Sequence, residues 1–372
     1  EAALRFSALG LYLMSIELDP EPEPVEKLKF QKNLHGSVLF DLSSAEDGLG
    51  SLGTGVSSAH HAHYDLVIGN PPWSRSTRLL GWKSLSKAVG EIAQKRLPND
   101  KKFKLLPKEV MDLPFIWRAM QWAKPGGVIS FALHARVLFL QGDGMMPARS
   151  ALFRAIEVTG VLNGADMCGT RVWPAIAVPF CLFFAKNHLP APGAAFHFVS
   201  PRRESLLNSA GAMRVDTANS EIVTASQVAK RPEILKILYR GGRLDLEIYD
   251  RMVSRGVIPL SEYWEELFGM EKGRVGNGYQ KLRKSSRTRK GENSDGLPGV
   301  SAAYLHGIPE LTTSAANGLF IDTDKLPIFN QKRIHDPRPR SLFRKPLLLV
   351  RESPPGAAGR INVAVGEDVV VF

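Results

Sequence analysis

Four consecutive residues, Asn70-Pro71-Pro72-Trp73, have the types and order needed to hold and activate an amine. A side-chain carboxamide oxygen and a backbone carbonyl can each accept one hydrogen of a planar amine, which pulls the lone pair out of conjugation and aims it at an electrophile. Asn70 supplies the carboxamide and Pro71 supplies the carbonyl. Two successive prolines fix the backbone, so the acceptors are preorganised. Trp73 can stack on the ring that carries the amine, an interaction worth about 1–3 kcal/mol.

The tetrapeptide follows an apolar run, Tyr64–Gly69, which is typical of a central strand covered on both faces by helices. Ligands of open α/β sheets bind outside the carboxyl ends of the strands, which is where Asn70 would lie. The alternative is a strand that merely ends in a proline turn. The buried strand before the motif and the aromatic residue after it favour a site.

The rest of the first half predicts the elements that position this site. We expect a helix at the start of the chain, a short strand and turn at 34–42, and polar, irregular chain at 74–112. After these we expect helices at 113–123 and 148–157, a turn at 124–127, and strands at 128–133, 158–162 and 177–185. A helix, a glycine turn and a buried strand together make an α/β repeat.

The sequence therefore predicts an α/β fold with a second, different domain. Residues 1–190 are expected to form a doubly wound, Rossmann-like sheet that lacks its first strands. Residues 191–260, with a strand at 196–199 and a helix at 225–240, are expected to connect it to a mixed α+β domain at 261–372. That last part is rich in Gly, Pro, Arg and Lys, with β-like segments at 346–351 and 369–372.

These segments resemble the gamma class of DNA adenine N6-methyltransferases. Residues 64–73 are similar to the family's motif IV, which implies that Asn70, Pro71, Pro72 and Trp73 are its catalytic residues. Residues 33–39 resemble the segment that lines the adenine of the methyl donor, S-adenosyl-L-methionine. The resemblance implies that this cofactor contacts Asn70 and a short turn consisting of Gly36, Ser37 and Val38. Ser37 stands where the family commonly has aspartate.

A second aromatic residue, Trp173, lies in Arg171-Val172-Trp173-Pro174. This segment resembles the family motif whose aromatic residue packs on the opposite face of the extruded adenine. The resemblance implies a flipped base sandwiched between Trp73 and Trp173, which would offset the few kcal/mol that base flipping costs. The alternative is a tryptophan that anchors the edge of the core.

The basic composition favours a polyanion as partner. The formal net charge is +11 and the isoelectric point is about 9.6. A glycine-containing loop concentrates cations that suit the backbone of double-stranded DNA. Its predicted DNA-binding residues are Lys272, Arg274, Lys281, Arg283, Lys284, Arg287, Arg289 and Lys290. Further basic residues follow at 332–345. Together, the two basic regions resemble the target recognition domain of restriction-modification or phage-defence enzymes. Such enzymes can carry a fused nuclease or other subunits. The alternative is a solvated charged face.

Other classes of site find less support in the sequence. Cys168 and Cys181 lie in apolar segments without disulfide or metal spacing, which suits a reducing cytoplasm. The apolar stretches are shorter than a membrane span, so no membrane partner is expected. His60, His61 and His63 form a cluster that lacks carboxylate or cysteine partners, and we predict no metal there.

Two other functions remain compatible with these residues. Protein glutamine N5-methylation poses the same lone-pair problem, although the large basic region argues against it. A DNA-binding specificity module without catalysis is the other, because no glycine-rich donor-binding motif precedes the first helix. That gap and the abrupt start of the chain predict a fragment of a longer enzyme.

Overall fold

The structure is a computed structural model that describes most of the chain in two compact units, Glu1–Met252 and Val253–Phe372. The described residues are 2–18, 20, 34–42, 48–53, 55–73, 81–100, 105–107, 110–142, 144–259, 262–263, 266, 276–282, 299–312, 319–350 and 363–372.

The first unit contains a six-stranded mixed sheet. Its strands are β1 (Tyr64–Gly69), β2 (Ala123–His134), β3 (Glu157–Asn163), β4 (Phe180–Lys186), β5 (Ala195–Val199) and β6 (Ser220–Thr224). They lie in the order β1-β2-β4-β3-β5-β6. The pairs β1–β2 and β3–β5 are parallel, and the other neighbours are antiparallel.

Nine helices accompany these strands in the described residues. They are α1 (Ala2–Leu18), α2 (Trp82–Arg96), α3 (Asp112–Trp122), α4 (Arg136–Phe139), α5 (Met145–Ala155), α6 (Ser205–Ser209), α7 (Ala225–Lys230), α8 (Ile234–Leu238) and α9 (Arg243–Ser254). Residues of α2, α3, α4, α5, α7 and α8 share one core with the strands. The first helix is confirmed as α1, and most of its apolar side chains are exposed.

The two faces of the sheet differ sharply in burial. Alternate residues such as Ile129 and Phe183 are fully buried in the core. Their neighbours on the opposite face are half-buried or exposed, including Leu66 at 54% and Ile68 at 73%. The prediction that β1 is central and covered on both faces is therefore wrong for the described chain, where β1 is an edge strand. Apolar residue types alone do not specify which neighbours a strand acquires.

Two predicted irregular or extended segments differ in the structure. Within 74–112, α2 forms because Leu85, Val89 and Ala93 recur every four residues and pack into the core beneath an otherwise polar helix. Within 34–42, the turn is present but the strand is absent, since His35 and Leu39 form only an isolated bridge. Short apolar pieces without a pairing partner do not make a strand.

The other elements of the first unit follow the prediction with shifted bounds. The predicted turn 124–127 is a bulge within β2, between the pairs Tyr64–Ala123 and Leu66–Val128. Gly126 has φ +77° there, and a Cβ on Gly127 would approach two backbone oxygens at 3.0 Å. The predicted helix 225–240 is divided into α7 and α8 around Pro232, because proline cannot donate to the helix ladder.

The first unit continues well beyond residue 190, the expected end of the sheet. Strands β5 and β6 extend the same sheet, and the unit runs to Met252. The second unit contains two small antiparallel pairs, β7 (Val300–Ser301) with β8 (Arg333–Ile334) and β9 (Leu347–Val350) with β10 (Val363–Gly366).

Candidate active site

The tetrapeptide lies directly beyond the carboxyl end of β1. Asn70 and Pro72 are exposed, Pro71 is buried and Trp73 is half-buried. Gly69 brings the chain close to β2, since a Cβ at this position would lie 3.0 Å from the ring of Phe131. The acceptor side chain of Asn70 is therefore accessible, whereas the backbone around it is packed against the sheet.

Trp73 turns towards the carboxyl end of β2. Its indole Nε1 donates a hydrogen bond to the carbonyl of Ala132 at 3.1 Å. Its backbone carbonyl accepts a hydrogen bond from Nη2 of Arg136. Its ring meets that of His134 edge to face, with a centroid distance of 6.3 Å. The indole and the backbone carbonyl of Trp73 are therefore both held by residues of one segment, 132–136.

The two tryptophans predicted to sandwich a base are in direct contact. Their ring centroids are 6.2 Å apart and their planes meet at 69°. This edge-to-face contact is favourable for two aromatic rings, but it leaves no parallel slot for a base between them. A third aromatic residue, Phe180, completes the cluster, with its ring nearly parallel to that of Trp73 and 4.4 Å from that of Trp173.

Phe180 is a member of this site that residue types in the sequence do not indicate. It lies at the start of β4, where an aromatic residue in an apolar run also suits the core. Its ring packs directly on Gly164, where a Cβ would come within 2.3 Å of two ring atoms. Glycine at 164 therefore allows Phe180 to reach both tryptophans.

A buried carboxylate lies beside this cluster and was also missed. Asp112 is fully buried in the first turn of α3, and its Oδ2 accepts a hydrogen bond from the backbone N–H of His134 at 2.9 Å. Burial raises the pKa of the Asp112 carboxyl to about 6, although the hydrogen bond and the charge of Arg136 act in the opposite direction. A single acid in an apolar segment was the available signal.

The residues predicted to contact the methyl donor form an exposed turn. Gly36 has φ +79°, and the N–H groups of Gly36, Val38 and Leu39 bond within the turn. No described contact joins this turn to Asn70. These three backbone N–H groups are therefore already used and are not free to bind S-adenosyl-L-methionine.

Most of the predicted DNA-binding residues, Lys272, Arg274, Arg283, Lys284, Arg287, Arg289 and Lys290, lie outside the described residues. Lys281 is described, and its ammonium group pairs with Glu310 at 2.7 Å. Tyr279 also donates to this carboxylate. Burial tends to raise the pKa of Glu310, but the hydrogen bonds from Lys281 and Tyr279 bring it below its usual value.

In the basic segment 332–345 of the second unit, four residues are exposed and make no described ion pair. These are Lys332, Arg333, Arg340 and Arg344. In contrast, Arg338 pairs with Asp336 and Lys345 approaches Asp368. The unpaired cations are the described residues of this unit that are best suited to meet phosphates.

The described part of the chain also bears on metal binding and membrane crossing. Nowhere in it do three or more His, Cys, Asp or Glu side chains gather in a way that could hold a metal ion. Instead, Nδ1 of His60 is hydrogen-bonded to the hydroxyl of Tyr64 at 2.6 Å. Among the described helices, none has both the length and the apolar character needed to cross a membrane.

Comparison with known families adds an independent observation to this geometry. Residues 17–162 match the family model described as Eco57I restriction-modification methylase. The matched segment contains the tetrapeptide, Asp112 and Arg136, whereas Trp173 and the second unit lie beyond it. No curated protein matches the chain.

Several solved restriction-modification proteins resemble the chain at low sequence identity. The methyltransferase subunit of a type I system from Streptococcus thermophilus is 16% identical, with 48% of this chain and 38% of that chain covered and a TM-score of 0.33. The type IIG restriction endonuclease BpuSI is 11% identical, with 78% and 33% covered and a TM-score of 0.37. The EcoKI M protein is 14% identical, with 59% and 56% covered and a TM-score of 0.30.

The chain spans less than two thirds of the length of each of these three proteins. TM-scores this low say nothing about how the site of this chain is arranged, so its geometry is taken from the contacts given above.

Proposed function

We propose that the chain is part of a restriction-modification methyltransferase that transfers a methyl group to the N6 amine of adenine in double-stranded DNA. The observation that carries this proposal is the placement of an exposed Asn70 and the Pro71 carbonyl beyond the end of β1, next to a cluster of aromatic rings. The family match over residues 17–162 supports the same class of enzyme.

Asn70 and Pro71 activate the amine in this proposal. The carboxamide oxygen of Asn70 and the carbonyl of Pro71 each accept one hydrogen of the exocyclic amine. The nitrogen then presents its lone pair in one direction, towards the methyl group that S-adenosyl-L-methionine supplies when bound. The prolines keep both acceptors in place, so little ordering entropy is spent in each turnover.

Trp73 and Trp173 form the two walls of the base pocket in this proposal. Because they now touch edge to face, one ring has to turn before a flipped base can enter. Trp73 is anchored by Ala132 and Arg136, whereas no described side-chain hydrogen bond holds the Trp173 indole. We therefore assign Trp173 as the wall that moves and Trp73 as the fixed wall.

The test is methyl transfer from labelled S-adenosyl-L-methionine to duplex DNA, with N6-methyladenine identified chromatographically. Asn70→Ala should abolish transfer while the DNA dissociation constant stays within about threefold, because the side chain acts on the amine rather than on the phosphates. Asn99→Ala is the matched control, since Asn99 is also exposed but lies in the turn that follows α2. Unchanged transfer by Asn70→Ala would refute the assignment.

A second candidate is a DNA-binding specificity module without catalysis. The exposed turn at Gly36–Val38, in which the N–H groups of Gly36 and Val38 are bonded within the turn, favours this candidate. Calorimetry with S-adenosyl-L-methionine separates the two candidates. Absence of donor binding together with retained DNA binding would favour the module, and methylated protein instead of methylated DNA would favour the glutamine N5-methyltransferase.

A further inference from the structure

The two prolines restrict how the Asn70–Trp73 turn can be held in place. Proline has no backbone N–H, so positions 71 and 72 cannot donate a hydrogen bond. Outside the β1–β2 ladder, the described hydrogen bonds of the turn both involve Trp73. Its indole donates to the Ala132 carbonyl, and its own carbonyl accepts from Arg136. Among the described residues, the turn is therefore held by few hydrogen bonds, and both of them end at residues of 132–136.

Arg136 is well fixed to serve as one of these contacts. It begins α4, directly after β2, and is half-buried. Its backbone N–H donates to Nδ1 of His134 at 3.0 Å, and the N–H of His134 donates to the buried Asp112. The chain of contacts connects α3, the end of β2 and the start of α4 to the turn. These are regular elements packed in the core, so the guanidinium is presented from a rigid base.

We propose that Arg136 is a positioning residue that sets the direction of the Asn70–Trp73 turn by holding the carbonyl of Trp73. Its effect on catalysis rests on the proposed function, because only an amine substrate makes the direction of the Pro71 carbonyl matter. Arg136 is assigned no contact with the substrate or the methyl donor. A charge-assisted hydrogen bond to a carbonyl is stronger than a neutral one, which suits a turn that has so few other described hydrogen bonds.

Arg96 provides a matched control within the same unit. It is also a half-buried arginine that donates to a backbone carbonyl, that of Ala155 at 2.7 Å, and it also contacts Asn187. Its partners lie at the opposite ends of the strands, where β3 begins and β4 has ended. Its replacement removes an equivalent half-buried guanidinium without touching the turn.

The experiment uses the full chain labelled with 5-fluorotryptophan and observed by fluorine NMR. The Trp73 resonance is assigned as the signal lost in Trp73→Phe, and the buried Trp117 serves as an internal reference. Arg136→Met should shift or broaden the Trp73 resonance and leave that of Trp117 in place. In Arg136→Lys, which keeps the charge and a donor, the Trp73 resonance should lie closer to its position in the unmodified protein. Arg96→Met should leave the Trp73 resonance unchanged.

Methyl transfer provides the second readout. Arg136→Met should lower the transfer rate by about 100-fold, the scale of loss expected from a misplaced reacting group, while the DNA dissociation constant stays constant. An unchanged Trp73 resonance in Arg136→Met, or an equal shift in Arg96→Met, would overturn the positioning role. If the intact protein without substitution transfers no methyl group, the proposed function fails, and the fluorine spectra still decide the role of Arg136.

Discussion

At the scale of single residues, the site depends on absent groups, such as a backbone donor or a side chain, as well as on the groups that are present. Proline removes two donors from the turn, and Gly164 removes a side chain that would otherwise occupy the place of the Phe180 ring. The residue types of Asn70 and Trp73 could be recognised in the sequence. The partners Arg136, Asp112 and Phe180 could not, because an arginine, an aspartate and a phenylalanine occur in many unrelated settings.

Asp112 should make the stability of the first unit depend on pH. Its pKa rises from an unfolded value near 3.8 to about 6 in the folded chain. The folded state therefore binds more protons than the unfolded state between these values, and the free energy of unfolding falls as the pH rises from about 4 to about 6. The shift corresponds to a loss of roughly 3 kcal/mol at full ionisation.

Urea unfolding at pH 4 to 7, followed by tryptophan fluorescence, checks this prediction, since five of the six tryptophans lie in residues 73–173. In Asp112→Asn the free energy of unfolding should decline less between pH 4 and 7 than it does in the unmodified chain. Asp65→Asn is the control, because Asp65 is exposed and its pKa is lowered by the hydrogen bond from Lys124. Equal declines in Asp112→Asn and the unmodified chain would contradict the prediction.

At the scale of elements, the sheet presents one face to the core and leaves the other open in the described residues. The exposed face carries Leu66 and Ile68 on β1 and Val128 on β2. These strands are recognisable in the sequence because apolar runs between glycine turns are distinctive. The edge position of β1 is not, because strand order and coverage are decided by contacts between segments distant in the chain.

Substitution of two isoleucines in neighbouring strands tests the difference in burial between the two faces of the sheet. Ile129→Ala should lower the free energy of unfolding by about 2–5 kcal/mol, because it opens a cavity in the core. Ile68→Ala should change it by less than about 1 kcal/mol, because 73% of that residue is already exposed. Urea unfolding monitored by fluorescence gives both values. Similar losses at the two sites would show that the face of β1 is covered in solution.

At the scale of the whole molecule, the net charge of +11 favours a polyanionic partner, and the structure separates engaged cations from available ones. Lys281 pairs with Glu310 and Lys325 pairs with Asp322. Arg340 and Arg344 are exposed without a described ion pair. Charge counted along the sequence cannot make this distinction, since it depends on which acids fold next to which bases.

DNA affinity should therefore fall steeply with salt and respond unequally to charge removal. Arg340→Ala should reduce the slope of log affinity against log salt by about 0.9, the change expected for one lost phosphate contact. Lys325→Ala should leave the slope unchanged, because its ammonium group is paired at 2.7 Å. Fluorescence anisotropy over 50–300 mM salt, roughly the range in which counterion release dominates, measures both slopes. A slope unaffected by Arg340→Ala would remove this residue from the proposed interface.

The sequence by itself determined the tetrapeptide, the strand before it, most helices and strands of the first unit and the basic character of the chain. These features are local, since they depend on residue types at short spacing. The tertiary structure decided that β1 lies at an edge, that Trp73 and Trp173 meet edge to face with Phe180, and that Arg136 holds the turn. Such contacts join residues far apart in the chain, and their geometry is set by packing that no local pattern encodes.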